Sequence, residues 1–332
     1  MSPSILHVGL GPLGRRIQSD LAARGPGRTL AAVDVDPALA GVPLAELAPG
    51  APRGVRVLSS LDEFEDWETV DAAILTTSSD LARCAPTLRK LAEHGVSTVS
   101  TCEELLWPWL RHPGLAKELD EVARANGASL LGTGVNPGYL MDALPVFLSA
   151  AALEVRGARI WRVQDATTRR VPFQKKIGAG LDRDQFAARI ADGSLRHVGL
   201  GESLHFVAGC LAWKVERWEE SIEPVIATRR LECALGTIET GKACGVRQVA
   251  RGWVGGKELL TLEFVAAIGQ ENPHDRVQLD SDPPLDLMLR GGVHGDKATS
   301  AMVLNCIGPL LDAPVGLVTM AQIRMPRCAR EA

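Results

Sequence analysis

The sequence has no Cys-x-x-Cys spacing, no apolar run of membrane-spanning length and no excess of positive charge. Each absence excludes a class. Seven cysteines (Cys84, Cys102, Cys210, Cys233, Cys244, Cys306, Cys328) are scattered and odd in number, which argues against a disulfide framework or a zinc site and for a reducing cytoplasm. No metal ligand set is expected. Without a long apolar run there is no candidate membrane span, and Met1-Ser2-Pro3-Ser4 leads straight into a strand with no signal-peptide pattern. The formal net charge of -4 gives no basic footprint, so neither nucleic acid nor a membrane is an expected partner. Internal repeats and low-complexity tracts are also absent.

What is present reads as a soluble globular chain. Its 332 residues exceed what one core usually serves, so two domains are expected. Apolar content is 46% and charged content 23%, both ordinary values.

Ser4-Ile5-Leu6-His7-Val8 is a short apolar strand, followed at once by Gly9-Leu10-Gly11-Pro12-Leu13-Gly14 and then a helical pattern through Ile17 and Leu21. Strand, Gly-x-Gly-x-x-Gly and helix is the context a dinucleotide fingerprint requires. The first glycine permits a tight turn, the second lets backbone approach a pyrophosphate, and the third allows close helix–strand packing. The helix start would offer N–H groups to the phosphates. A second strand ends in Asp34, about 20 residues further on, where ribose hydroxyls are held. An acid there favours NAD(H), while Arg53 or Arg56 could relax the preference toward NADP(H).

The alternation continues through strands near 55–58, 70–75, 96–100 and 129–131, making six in all. Thr76-Thr77-Ser78-Ser79 lies where ligands bind in open α/β sheets, so Thr77 and Ser78 are cofactor candidates. The fifth strand delivers Ser100-Thr101-Cys102-Glu103-Glu104-Leu105, a small-residue corner with two adjacent carboxylates. Both Thr101-x-x-Glu104 and Ser100-x-x-Glu103 fit a helix capping box, so capping logic leaves the frame open. Cys102 reads as a small filler beside the cofactor, because no histidine near in sequence could activate it. A helix over 115–126 closes at Gly127.

Gly132-Thr133-Gly134-Val135-Asn136-Pro137-Gly138 then breaks the pattern and opens an expected helix over 139–152; Asn136 is placed against the cofactor. From Val155 the texture changes to long alternating strands, near 159–164, 214–226, 247–254, 259–268 and 285–290, with helices near 184–191 and 202–213. The long loop between the first two strands carries Thr168 and Phe173 as substrate-pocket candidates. A last helix after Gly291-Gly292-Val293-His294-Gly295-Asp296, with no strand following, is expected to return to the nucleotide domain and bring His294 and Thr299 to the pocket. The expected fold is α/β: a Rossmann doubly wound parallel sheet over 1–131, completed by 294–332. It is joined to an α+β domain over 132–293 with a mostly antiparallel sheet.

The joint pattern of Gly9–Gly14, Ser100-Thr101-Cys102-Glu103-Glu104-Leu105, Gly132–Gly138 and Gly295-Asp296 resembles the NAD(P)-dependent amine dehydrogenases. These are grouped with 2,4-diaminopentanoate dehydrogenase on a dihydrodipicolinate reductase-like plan. The resemblance covers nearly the whole chain. It implies a homodimer formed through the 132–293 domain and a reversible exchange of an amine plus water for a ketone or aldehyde plus ammonia. It also implies a catalytic glutamate after the fifth strand, which falls on Glu103. Two departures separate the chain from neighbouring families: the stretch 165–176 has no histidine pair of the dihydrodipicolinate reductase kind, and Glu103 stands where homoserine-type dehydrogenases place a lysine. A reductase that does not use ammonia and a non-catalytic NAD-binding sensor are the competing readings.

Overall fold

The run Ser4–Val8 forms β1 and is buried at every position, as befits a parallel strand covered on both faces. It opens the computed structural model, which describes residues 2–328. The chain divides into two compact units, residues 1–139 with 294–332 and residues 140–293.

In the first unit, α1 (Pro12–Arg24) follows β1 and stops at Gly25, whose φ of 71° no side-chain-bearing residue takes easily. Then come β2 (Arg28–Val33), α2 (Leu44–Leu47), β3 (Val57–Leu58), β4 (Ala72–Leu75), α3 (Leu81–Glu93), β5 (Ser97–Ser100), α4 (Pro113–Ala125) and β6 (Ser129–Gly132). The second unit holds α5 (Ala143–Ser149), β7 (Glu154–Asp165), α6 (Val171–Lys176), α7 (Arg183–Ala191), α8 (Leu200–Cys210) and β8 (Arg217–Ile226). It continues with β9 (Leu231–Cys233), β10 (Gly236–Ile238), β11 (Ala243–Val254), β12 (Lys257–Ala267), β13 (His274–Asp282) and β14 (Leu285–Arg290). The chain finishes in the first unit with α9 (Gly295–Leu311) and β15 (Gly316–Val318).

The first unit's sheet runs β15-β6-β5-β4-β1-β2-β3, and every neighbouring pair is parallel. It is therefore a seven-stranded doubly wound sheet with its order reversing between β1 and β4. The expected six strands miss β15, a strand of only three residues whose signal disappears beside the helix before it. α9 packs on α1 and β5 within this unit, and Ser300 Oγ donates to Asp20 Oδ2 at 2.7 Å.

The helix expected over 139–152 is shorter. Gly138 at φ 127° and a series of turns delay its start until Asp142 accepts from Ala143 N at 2.7 Å. β13 and the small β9–β10 hairpin are also absent from the expectation, and the long loop after β7 contains α6.

The second unit's sheet runs β14-β13-β7-β12-β11-β8, with β7–β12 parallel and every other pair antiparallel. α5 and α8 cover one face, on which Ala158, Ile160, Leu260 and Leu262 are buried. The alternate residues Arg159, Trp161, Thr261, Glu263, Arg276 and Gln278 form a charged and aromatic face that stays partly open. The covered face includes an unusual member, Arg162, at 1% exposure. Its Nη1 donates to Asp275 Oδ1 at 2.7 Å and its Nη2 to Val293 O at 3.1 Å, while Asp275 Oδ2 accepts from Val293 N at 2.7 Å. The buried ion pair thus holds both polar groups of the unit's last residue.

Candidate active site at the carboxyl edge of the parallel sheet

The glycine loop is built by close approach. A Cβ at Gly9, already at φ 98°, would stand 2.7 Å from Thr76 O and 2.9 Å from Thr77 Cγ2; one at Gly14 would stand 2.0 Å from Gly9 O. Gly11 differs: nothing lies within 4 Å of where its Cβ would be. The inner side of the loop is therefore sealed against β4 and α1, and the outer side is open over the start of α1. That helix begins at Pro12, whose fixed φ suits the first position, with no side-chain cap and no acid in its first turn. Its first N–H groups and positive dipole end are left for an anion. Leu13 is half-buried behind the loop. Asp34 sits at the end of β2, accepting from Leu10 N at 2.5 Å and Asp36 N at 2.9 Å. The open side over Gly11, the uncapped helix start and the acid at the end of β2 fit a dinucleotide.

The second strand-end loop follows β4. Thr77 is exposed beside Gly9, and Ser78 Oγ accepts from Asp80 N at 3.1 Å. The third is the carboxylate corner. Residues Glu103–Leu106 form a single 3-10 turn rather than an α-helix, and Cys102 at its start offers no side-chain cap. Neither capping box forms. Ser100 Oγ accepts from Cys102 N at 3.1 Å, and Glu104 turns away from its own segment. Its Oε2 accepts from Leu81 N at 2.9 Å, at the first residue of α3, and lies 3.0 Å from His112 Nε2. The two glutamates are thus inequivalent: Glu104 ties the corner to α3, and Glu103 is half-buried at the head of the turn. Thr101 N donates to Leu75 O at 3.0 Å, holding the corner beside the end of β4. The hydrogen bond with Cys84, and then burial, push the Cys102 thiol far above its ordinary range. It stays protonated, donates to Ser79 O at 3.3 Å and acts as a filler.

The fourth loop, Thr133–Gly138, leaves β6 where a Cβ on Gly132 would stand 2.6 Å from the Leu105 carbonyl carbon, so β6 is pressed against the corner. Thr299 of α9 joins this loop, its Oγ1 accepting from Val135 N at 3.2 Å. Asn136 is half-buried in the same loop. The residues expected at the cofactor are therefore brought to one edge of one sheet. His294 caps α9, its Nδ1 accepting from Lys297 N at 3.4 Å. Thr168 and Phe173 belong to the second unit. Thr168 is exposed, and Phe173 packs on that unit's core with the Arg169 guanidinium carbon 4.2 Å from its ring centroid.

Sequence reasoning missed the buried His7 and Gln18 and the half-buried Thr76 behind the edge, and the partner role of His112. A histidine inside an otherwise apolar strand and a glutamine on the inward side of α1 were the available signals. Among the described residues, no group of three or more His, Cys, Asp or Glu could hold a metal ion, and no helix is long and apolar enough to cross a membrane.

Seven parallel strands, a glycine cradle at the order reversal and an acid-bearing corner beside it define an oxidoreductase of the Rossmann dehydrogenase type. Residues 139–332 match the 2,4-diaminopentanoate dehydrogenase C-terminal domain family, and the chain belongs to that family. The 2,4-diaminopentanoate dehydrogenase of Acetoanaerobium sticklandii is 27% identical over 285 residues, covering 83% of this chain and 81% of that protein. An amine dehydrogenase structure from Mycobacterium smegmatis superposes with a TM-score of 0.86 at 22% identity, over 99% of this chain and 98% of the other. A probable dehydrogenase from Thermotoga maritima superposes less closely, with a TM-score of 0.57 at 11% identity over 96% and 91%. These two share the fold.

Proposed function

We propose that the chain is an NAD(P)-dependent amine dehydrogenase that interconverts an amine, or a diamino acid, and the corresponding carbonyl compound plus ammonia. The observation that carries this reading is an acid-bearing corner at the end of β5, on the same sheet edge as the glycine loop, in a chain of the 2,4-diaminopentanoate dehydrogenase family. The acid assigned to the chemistry is Glu103, the position on which the catalytic glutamate implied by the family resemblance falls, while Glu104 bonds Leu81 N and His112. A bound nicotinamide would supply the hydride acceptor for the amine-bearing carbon. Glu103 takes the proton of the substrate ammonium and passes it to solvent, so that the restored carboxylate opposes the positive charge of the iminium. It then takes a proton from the attacking water; the carbinolamine so formed expels ammonia to leave the carbonyl compound. A preplaced negative charge is effective here because the charge that develops is positive.

The residues assigned to the cofactor are Gly9, Gly11, Pro12, Leu13, Gly14, Asp34, Thr77, Ser78, Thr101, Cys102 and Asn136. NAD(H) is favoured over NADP(H), because Asp34 would meet a 2′-phosphate with like charge. Arg56, one candidate for relaxing that preference, is engaged with Gly41 O at 2.6 Å. Thr168, Phe173, His294 and Thr299 are assigned to the substrate side. A homodimer is supported by the uncovered face of the second unit's sheet, and a reducing cytoplasm by seven cysteines that are all free.

The deciding assay follows NAD(P)H consumption with a panel of ketones and amino-ketoacids, with and without ammonium. Turnover is expected only when ammonium is present. Turnover without it would select a reductase that does not use ammonia, and cofactor binding with no turnover would select a sensor.

A further inference from the structure

β1 is apolar except at its edge and at His7, and α1 turns Gln18 inward beside it; both side chains have 0% exposure. The hydrogen bonds around them run in one direction. Thr29 Oγ1 donates to Gln18 Oε1 at 2.7 Å, which leaves the amide Nε2 to donate to His7 Nδ1 at 2.6 Å. The ring proton must then sit on Nε2, 3.0 Å from Thr76 Oγ1, and the Thr76 hydroxyl donates onward to Gly9 O at 2.6 Å. Burial pushes the His7 imidazole down to about pKa 3, so the ring is neutral at working pH and its tautomer is set by these partners.

The relay ends on the carbonyl of the first fingerprint glycine. That oxygen is an acceptor in a loop read as the seat of a pyrophosphate, and turning it outward would set it against the anion. The Thr76 hydroxyl holds it inward, against Gly14, where a Cβ would stand 2.0 Å from it. On the outer flank Arg15 Nε donates to Leu10 O at 2.7 Å, and Asp34 takes Leu10 N. An apolar side chain at position 7 would serve strand packing alone and would spare the desolvation of an imidazole. We propose that His7 and Thr76 are positioning residues for the cofactor pyrophosphate, fixing the peptide plane of Gly9 before the dinucleotide arrives. This inference rests on the reading of the glycine loop as the cofactor cradle. A loop ordered in advance removes an ordering cost from binding.

The test is calorimetric titration of NADH and of ADP-ribose into the wild type, Thr76→Val and Thr76→Ser, well below their unfolding temperatures. Thr76→Val keeps the shape and removes the donor, so both ligands are expected to bind about tenfold more weakly. Thr76→Ser restores the donor and is expected to bind within about twofold of wild type. A second readout needs no variant: the ring nitrogens of His7 in the wild type should show the Nε2–H tautomer by NMR, unchanged between about pH 5 and 8. Equal affinity of Thr76→Val and wild type, or a His7 ring that titrates in that window, would overturn the proposal. A wild type that binds neither ligand would overturn the cofactor reading itself, and the relay's role with it.

Discussion

Glu103→Gln is expected to lower amine oxidation by roughly 100- to 10,000-fold, the range that loss of a positioned proton acceptor usually costs. NAD(H) affinity in the variant should stay within about twofold of wild type, because the glycine loop assigned to the phosphates is elsewhere and the substitution leaves Thr101 and Cys102 unchanged. The amide keeps the size and hydrogen-bonding reach of the carboxylate but can neither take the ammonium proton nor oppose the iminium charge. The neighbouring change provides the control. Glu104→Gln weakens the acceptor for Leu81 N and the pairing with His112, so its expected effect is a lower unfolding temperature. Stopped-flow measurement of the hydride step, beside equilibrium cofactor binding, separates the two. Near-normal hydride transfer in Glu103→Gln would remove that residue from the chemistry.

Asp275→Ala should cost the protein about 3–5 kcal/mol, because it leaves the guanidinium of Arg162 buried without its counter-charge. Burial already pulls the Arg162 pKa downward, and the Asp275 charge is the principal force opposing that pull. The same substitution frees Val293 N, so a buried backbone donor loses its acceptor as well. For a unit of this size the loss corresponds to a fall in Tm of roughly 6–20 °C. Exchanging both partners for apolar residues, as in Arg162→Met with Asp275→Leu, should recover much of the ion-pair part, since two well-packed apolar groups often equal a buried pair. Thermal denaturation of the two variants beside the wild type decides the matter. A loss below about 1 kcal/mol in Asp275→Ala would mean that water reaches the pair.

The elements that bring the cofactor edge together were readable in sequence because each has a short-range physical signature. Gly9 to Gly14 follow an apolar run, Asp34 ends the next strand, and Gly132 to Gly138 interrupt a regular alternation. The carboxylate corner was readable only to within one residue. Ser100, Thr101, Glu103 and Glu104 satisfy the same local capping rule in two frames. The frame actually adopted uses neither, because Glu104 bonds a helix 23 residues earlier in the chain. Such long-range partners leave no trace in spacing. The same holds for Arg162, which sits among alternating strand residues like any surface arginine until Asp275 on another strand is brought against it. Short strands formed a second blind spot: β15 has three residues and exists because β6 offers it an edge.

That edge has a consequence for how the protein is made. Strand β6 leaves the ribosome early, yet the strand that covers its outer side arrives with residues 316–318, after the whole second unit has been synthesised. Gly316 N, Leu317 N and Pro314 O then close on Ala128 O, Asp120 Oδ1 and Ser129 Oγ. Until that moment the nascent chain carries an open row of backbone donors and acceptors, the kind of template on which neighbouring chains pair. The continuous second unit can complete its own sheet first, and the nucleotide unit is sealed last.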